Sequence, residues 1–178
     1  NVWDAPAGYT RGAITGISEL AFNPNVKERD SLYVKSINYA VKWPFEGFTI
    51  EGQKTTQVLP SAFDRVNVRR MFLKLERYTY RNVKQFLYEP NNAYTRSRVV
   101  TTIDPMFAQA KAFGGIEDYR IICDERNNTA DIRDNNELKI SILIKPVKTI
   151  EWVLVDFIPV NQGADLDLTF NEVYGVTV

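Results

Sequence analysis

The clearest periodicity of hydrophobic and polar positions lies in residues 61–91, where it predicts an amphipathic helix. At about 100° per residue, one face collects the apolar side chains that are expected to enter the core: Val68, Met71, Phe72, Leu75, Val83 and Phe86. The opposite face forms a basic stripe, which consists of Arg70, Lys74, Arg77, Arg81 and Lys84. Ser61 or Asp64 can cap the start of the helix, and Pro90 is expected to close its end.

A second helix is predicted over residues 96–115, which read RSRVVTTIDPMFAQAKAFGG. Proline suits the first turn of a helix and aspartate suits the N-cap, so a break or a fresh start is expected at Asp104–Pro105. Gly114 and Gly115 are expected to end the helix, because glycine readily adopts the left-handed conformation that closes many helices.

Shorter segments predict strands on both sides of these helices. A turn-rich start leads into a short helix over Lys27–Asn38 and then into a β-hairpin that turns around Phe45–Gly47. After the helices, strands are predicted at 118–125, 137–146 and 149–160, with a polar turn between the first two. This order predicts an α+β fold, in which a mixed β-sheet packs against two main helices and an extended C-terminal strand or arm follows.

The last residues of the chain alternate with a period of two, which predicts a strand with one apolar face. The apolar positions are Leu166, Leu168, Phe170, Tyr174, Val176 and Val178, with only Glu172 out of step. Chain termini are usually polar and frayed, so an apolar terminal strand is expected to seek an open sheet edge.

Composition places the 178-residue chain among ordinary soluble domains, with 44% hydrophobic and 25% charged residues. No apolar run approaches the roughly 20 residues that a membrane span requires, so no membrane partner is expected. The first residues lack the pattern of a signal peptide, and there is no initiator Met, which favours a fragment or a processed product.

The net charge is zero, but the charges are unevenly distributed. Residues 1–148 carry 22 basic and 17 acidic side chains, a net charge of +5. The last 30 residues carry acids and no Lys or Arg, a net charge of −5. A basic body with an acidic tail indicates that the tail lies on a basic surface, although the pattern leaves open whose surface this is.

The basic stripe has two interpretations. It can be a solvated helix face, although such faces more often alternate in charge, and here Glu76 and Glu89 lie off the stripe. It can also be a docking surface for an acidic partner. Nucleic acid is one such partner, but the zero net charge and the lack of a basic tail weigh against it.

The sequence offers no constellation for catalysis. It has no histidine, which removes Ser-His-Asp chemistry and the commonest zinc ligand. The single cysteine, Cys123, lies in a predicted strand and is expected to be a small buried hydrophobe. Residues 131–137 lack the central glycine of an EF-hand, and no glycine-rich loop precedes Lys54–Thr55. We therefore expect no catalytic residue, no cofactor and no metal site.

Six stretches occur in an order that resembles the C-terminal conserved region of contractile tail sheath proteins of T4-like bacteriophages. They are APAGYTRGAI, KERDSLYVKSIN, GFTIEGQKTT, VNVRRMFLKLERYTY, FLYEPN and YRIICDERNNT…ELKISILIKPVKTIEWVLVDF. No single motif is specific, but together they cover nearly all of Ala5 to Phe157. The resemblance implies the C-terminal piece of a longer subunit, with an inner conserved domain at 1–160 and a C-terminal arm at 161–178.

The resemblance also implies a function, that of a structural subunit without enzymatic activity. Such subunits polymerise around an inner tail tube and contract to drive the tube through the host cell envelope. The implied partners are other sheath subunits, the tail tube protein and the baseplate, in a virion tail that is assembled in the host cytoplasm. The terminal strand would pair with the sheet of a neighbouring subunit, and the basic stripe, or the helix over Met106–Phe113, would face the tube or that subunit. The alternatives are another tail, baseplate or terminator component, or a nucleic-acid-binding domain that uses the basic stripe.

Overall fold

The computed structural model describes residues 1–45, 47–156, 158–160 and 165, and the α+β class is confirmed. The first half of the fold contains β1 (Ala13–Ile14), α1 (Val26–Val34), β2 (Tyr39–Trp43) and β3 (Gly47–Glu51). The second half contains α2 (Val66–Val83), a 3₁₀ turn (Lys84–Phe86), α3 (Ala93–Ala112), β4 (Ile116–Ile122), α4 (Ala130–Asp134) and β5 (Ser141–Pro146). None of the helices among these residues is long and apolar enough to cross a bilayer.

The strands of the described residues form two antiparallel sheets, and not the one mixed sheet that was expected. The first has the order β1-β3-β2, and its β2–β3 pair is the predicted hairpin, with Trp43 opposite Gly47. The second consists of β4 and β5, with Ile122 opposite Ser141. The first sheet precedes the helical pair α2–α3 and the second follows it, so these helices separate the two sheets along the chain.

The main core lies between α2, α3 and the β4–β5 sheet, and the predicted apolar face of the first long helix is confirmed. Val68, Met71 and Leu75 are buried on α2, and Phe72 and Val83 are partly buried beside them. The other helix and the sheet supply Ile103, Phe107, Ala110, Ile116, Ile142 and Ile144. Burying each large apolar side chain stabilises the fold by roughly 1.5–3 kcal/mol, so this contact holds the second half of the chain together.

The start of α2 differs from the prediction that Ser61 or Asp64 caps it. The N-cap is Arg65, in extended conformation and without a side-chain hydrogen bond to the helix. The Ser61 hydroxyl instead accepts a hydrogen bond from the backbone N–H of Phe63 at 3.0 Å, and the Asp64 carboxylate pairs with Arg65 at 3.1 Å. The side chains of both candidate caps therefore contact residues that precede the helix, and neither caps it.

The predicted interruption at Asp104–Pro105 is wrong, because α3 runs unbroken through Pro105. A proline inside a helix costs about 3 kcal/mol. Here Ile103 and Phe107 are buried on either side of the proline, whose own position is exposed, so core packing outweighs that cost. The predicted end is confirmed, since Gly114 follows the helix with φ of 73°.

Three shorter segments complete the comparison with the sequence. The predicted helix near residue 27 exists as α1 and ends at Val34, where Ser36 turns the chain with φ of 59°. The polar turn predicted over 126–136 contains the five-residue helix α4. The strand predicted over 149–160 does not form among the described residues, where the chain is irregular after Pro146.

Candidate interaction surfaces

The basic stripe lies on the exposed side of α2 and the 3₁₀ turn that follows it. All five side chains are exposed: Arg70, Lys74, Arg77, Arg81 and Lys84. None of them forms an ion pair within 4.0 Å with another described residue. Lys74 Nζ lies 5.5 Å from the ring centroid of Trp3, and Lys84 Nζ lies 4.6 Å from that of Tyr80. The stripe therefore presents its positive charge to solvent.

The β4–β5 sheet has two open edges among the described residues, because each strand pairs only with the other. A two-stranded sheet is marginal on its own, and an open edge offers backbone N–H and C=O groups to a further strand. The helices α2 and α3 support this sheet from one face, and on the other face Leu143 is 55% exposed. The sheet is therefore built to accept more strands.

An apolar groove of about 390 Å³ runs along β5 and is called here the β5 groove. Its walls are Phe72, Leu75, Glu76, Thr79, Tyr80 and Val83 from α2, Phe107 from α3, and Ile140, Ile142 and Ile144 from the β5 side. The Thr79 hydroxyl is buried there and has no hydrogen-bond partner among the described residues. A groove with these walls favours apolar side chains.

A second groove, the β4 groove, runs between α3 and β4, and its lining mixes apolar residues such as Val100 and Ile121 with charged and polar ones. Tyr119 donates a hydrogen bond to Asp104 Oδ1 at 2.9 Å, and Lys111 pairs with Asp118 at 2.7 Å. Burial, together with the hydrogen bond to Asp104, raises the pKa of Tyr119 to about 12. The two edges of the sheet therefore differ in chemistry, because the β5 groove is lined mainly by large apolar side chains and the β4 groove also by charged and polar ones.

An exposed apolar segment follows β5. Ile150 is 85% exposed, Val153 78% and Leu154 92%, and Trp152 and Val155 are also exposed. A continuous apolar run is typical of a strand that is buried on both faces. The described part of the chain provides no strand partner for this segment, which explains why the predicted strand is not observed.

One residue of that segment is held tightly. The Arg65 guanidinium contacts both carboxylate oxygens of Glu151, with Nε 2.5 Å from Oε1 and Nη2 3.0 Å from Oε2. Tyr33 donates to the same carboxylate at 2.8 Å, and Gln53 Nε2 lies 3.3 Å from it and also donates to the Thr149 hydroxyl. We call Tyr33, Gln53, Arg65 and Glu151 the Glu151 clamp.

The electrostatics of the clamp favour the ionised carboxylate. Burial opposes ionisation of Glu151, but the hydrogen bonds from Arg65 and Tyr33 outweigh it and hold the pKa below its ordinary value. The hydrogen bond to Glu151 correspondingly raises the pKa of Arg65. The sequence analysis missed this contact, since its partners are 86 residues apart. Its one signal in the sequence is a single acid inside an apolar run.

The remaining predicted residues have three different outcomes. The arm residues Leu166, Leu168, Phe170, Tyr174, Val176 and Val178 lie outside the described residues, so the arm and the division into 1–160 and 161–178 stay predictions. Phe107 of the Met106–Phe113 segment belongs to the core, whereas Phe113 is exposed. Cys123 is buried as predicted, and burial raises the pKa of its thiol. No cluster of potential metal ligands occurs among the described residues.

Comparison with known families gives a match over most of the second half of the fold. Residues 59–170 match the model of the family described as Phage tail sheath C-terminal domain. This range includes α2, α3, both strands of the open-edged sheet and the exposed apolar segment.

Two tail sheath proteins match nearly the whole chain. The tail sheath protein of Enterobacteria phage T4 is 39% identical over 165 residues, which cover 93% of this chain and 25% of that protein. The tail sheath protein of Vibrio phage KVP40 is 38% identical, and the match covers 97% of this chain and 25% of that protein. The chain thus spans about a quarter of the length of these relatives.

A solved structure has the same fold. The PVC sheath complex of an extracellular contractile injection system, determined by cryo-electron microscopy in the contracted state, superimposes with a TM-score of 0.81 at 24% identity. The superposition covers 94% of this chain and 47% of the sheath chain.

Proposed function

The chain belongs to the phage tail sheath C-terminal domain family, and we propose on that premise that it is a structural, non-enzymatic part of a contractile tail sheath. In this role, subunits polymerise around the inner tail tube and contract to drive the tube through the host cell envelope. The partners are other sheath subunits, the tail tube protein and the baseplate. The sheath is part of the virion and assembles in the host cytoplasm.

The observation that supports the proposal most directly is that the described residues include both an unpaired sheet edge and an exposed apolar segment. The β4–β5 sheet offers open edges, and the exposed segment Trp152–Val155 offers an unpaired apolar strand. Neither feature has a strand partner among the described residues. Both features gain a partner when the extended segment of one copy adds as a strand to the sheet edge of another copy, which is β-augmentation.

The β5 edge is the better acceptor, because it adjoins the apolar β5 groove. A strand added there would direct every second side chain toward Phe72 and Val83 on α2. The predicted arm has such a face, which consists of Leu166, Leu168, Phe170, Tyr174, Val176 and Val178. In a polymer the neighbouring arm is tethered nearby, so its effective concentration is high and modest contacts suffice.

The basic stripe provides a second contact in this proposal, with an acidic surface of the tube or of a neighbouring subunit. All five of its side chains are exposed, and none forms an ion pair within 4.0 Å with a described residue, which supports docking. After Glu151, which Arg65 already binds, the last 30 residues carry four further acids and no Lys or Arg, and these acids are one complementary surface within another copy.

Removal of residues 165–178 tests the strand exchange. The isolated chain without these residues is expected to keep its circular dichroism spectrum and its cooperative thermal transition. A T4 tail sheath protein in which the shortened chain replaces the segment it matches is expected to stay unpolymerised, whereas the unshortened chain supports polymers. Loss of folding in the shortened chain would assign the strand to the sheet of its own domain, and normal polymers would exclude a role in assembly.

A further inference from the structure

The connection between β4 and β5 is too long to align the two strands by its length alone. It covers residues 123–140 and contains α4. Turns of about two to five residues set the register of a hairpin through their own geometry, and this connection is far longer. In the sheet, Ile122 nevertheless lies opposite Ser141, and Arg120 lies opposite Leu143. Contacts beyond a tight turn must therefore select this register.

The apolar positions of β5 permit more than one register. Leu138, Ile140, Ile142 and Ile144 occupy every second position into and along the strand, and all four pack on the buried core. A slip of one residue would turn these side chains away from the core, but a slip of two residues would keep an apolar face there. Such a slip would move β5 by about 7 Å along β4.

Two adjacent asparagines of the connection, Asn127 and Asn128, contact both strands, and we call them the asparagine pair. Asn128 is 1% exposed, and its side-chain amide binds both backbone groups of Lys139. Its Oδ1 accepts a hydrogen bond from the Lys139 N–H at 2.8 Å, and its Nδ2 donates to the Lys139 carbonyl at 3.0 Å. The observed register, continued by two residues, would place Asp124 opposite Lys139. The Asn128 amide therefore pairs with the start of β5 as a further residue of β4 would.

The other member of the pair is attached to the end of β4. Asn127 Nδ2 donates to the Ile122 carbonyl at 2.7 Å, and Asn127 Oδ1 accepts from the Asp124 N–H at 3.0 Å. The same Nδ2 lies 3.2 Å from the Ser141 hydroxyl oxygen. Asn127 thus lies beside the last strand pair, Ile122 and Ser141, and contacts both of its members.

The short lobe between the asparagine pair and β5 is held in place at its end. The Glu137 N–H donates to the Ile132 carbonyl at 3.0 Å, which closes α4, and the Glu137 carbonyl accepts from Asn91 Nδ2 at 2.8 Å. Because both backbone groups of Glu137 are bound, Glu137 cannot take the place of Lys139 beside Asn128 unless the lobe opens. The hydrogen bonds between Asn128 and Lys139 therefore favour one register over its two-residue neighbours.

We propose that the asparagine pair takes the place of a hairpin turn and holds β5 in one register, and so positions the sheet edge that accepts a strand from a neighbouring subunit. The inference rests on the proposed function and refines it, because it adds Asn127 and Asn128 as positioning residues for strand exchange. The backbone groups of an edge strand are the template for an added strand. A two-residue slip would shift this template by about 7 Å against the α2 wall of the β5 groove.

Cross-strand nuclear Overhauser effects in the isolated chain report the register directly. In the unaltered chain they are expected to join Ile122 to Ser141 and Arg120 to Leu143. Contacts within and between α2 and α3 serve as an internal reference, because these helices do not depend on the register of β5.

The variant that combines Asn127→Ala with Asn128→Ala is expected to weaken these strand contacts. Contacts displaced by two residues, such as Ile122 with Leu143, are expected to appear, while those of α2 and α3 stay unchanged. The matched control is Asn135→Ala, which alters an exposed asparagine of the same connection and should leave the register as it is.

Persistence of the original strand contacts alone in the double variant would overturn the proposal. A loss of contacts throughout α2 and α3 would also overturn it, because the pair would then be a general structural support. Should the double variant fail to fold, Asn128→Asp keeps the acceptor for the Lys139 N–H but loses the donor to its carbonyl. Displaced contacts are expected beside the original ones in this variant, and their absence would overturn the proposal.

The same substitutions in the T4 tail sheath protein, with this chain in place of the segment it matches, test the link to assembly. The double variant is expected to lose the polymers that the unaltered chimera and the Asn135→Ala chimera form. Normal polymers from a double variant with displaced contacts would overturn the positioning role. A failure of the unaltered chimera to polymerise would count against the proposed function alone, because the register is measured on a single chain.

Discussion

Trp3 packs so closely on Gly115 that a Cβ atom at the glycine would lie 2.6 Å from Trp3 Cγ and 2.7 Å from Trp3 Cβ. The indole is buried and stacks with Phe113 at 6.2 Å between ring centroids, and Lys74 lies above it. The first residues of the chain therefore complete the core between the two long helices and the start of β4.

Gly115→Ala is expected to lower the free energy of unfolding by about 1–3 kcal/mol, because the added methyl group displaces the root of the Trp3 side chain. Urea denaturation followed by circular dichroism measures the change. Trp3→Gly, which removes both the Cβ atom and the indole, should by itself cost at least about 3–5 kcal/mol. In that background Gly115→Ala should cost much less, and an equal cost in both backgrounds would show that the packing against Trp3 is not the cause.

Two buried threonines should respond oppositely to the same substitution. Thr79→Val removes a buried hydroxyl that no described residue hydrogen-bonds, and is expected to be neutral or to stabilise the chain by up to about 1 kcal/mol. Thr49→Val removes a hydroxyl that accepts from Trp43 and donates to Glu51, and is expected to cost about 1–3 kcal/mol. Thermal denaturation of both variants measures these changes in stability. Equal losses of stability at both positions would contradict this account of the β5 groove.

The Glu151 clamp should make stability depend on pH in the acid range. The folded chain holds the pKa of Glu151 below its ordinary value of 4.5, so the stabilisation is fully present above that pH and is lost as the pH falls through the lowered pKa. At pH 7, Glu151→Gln is expected to cost about 1.5–3 kcal/mol, and the difference from the unaltered chain should shrink as the pH falls below 4.5 and through the lowered pKa of Glu151. Urea denaturation at a series of pH values measures the difference in the free energy of unfolding between the variant and the unaltered chain.

The control for the pH experiment is Glu117→Gln. Glu117 and Lys145 are 56% and 67% exposed, so solvent screens their ion pair and its contribution to stability is small at any pH. A loss in Glu151→Gln that is the same at pH 7 and pH 3 would show that the carboxylate charge does not stabilise the clamp.

The basic stripe should be required for docking to an acidic partner. Arg77→Glu with Arg81→Glu is expected to reduce cosedimentation of the chimeric T4 sheath with tail tubes at least about tenfold, because attraction becomes repulsion. Arg133→Glu with Lys139→Glu makes the same change of charge at exposed positions away from the stripe and should have little effect. Undiminished cosedimentation of the stripe variant would contradict docking, and salt-dependent retention of DNA by the unaltered chain would favour the nucleic-acid alternative.

Local sequence patterns predicted local structure well, but they did not predict contacts between residues that are far apart in the sequence. The spacing of Val68, Met71 and Leu75 predicted both the helix and its buried face, because helical periodicity is imposed by the core. The break at Pro105 was wrong, because packing of Ile103 and Phe107 overrides a local penalty. The contact between Arg65 and Glu151 joins residues 86 apart, and no local signal relates them.

Negative-stain electron microscopy of the T4 tail sheath protein, with this chain in place of the segment it matches, tests the central claim most directly. The parental protein under the same conditions is the control. We predict long hollow cylinders for the chimera, and their loss when residues 165–178 are removed. A folded chimera that remains monomeric where the parental protein forms cylinders would contradict the claim that this chain joins sheath subunits into a polymer.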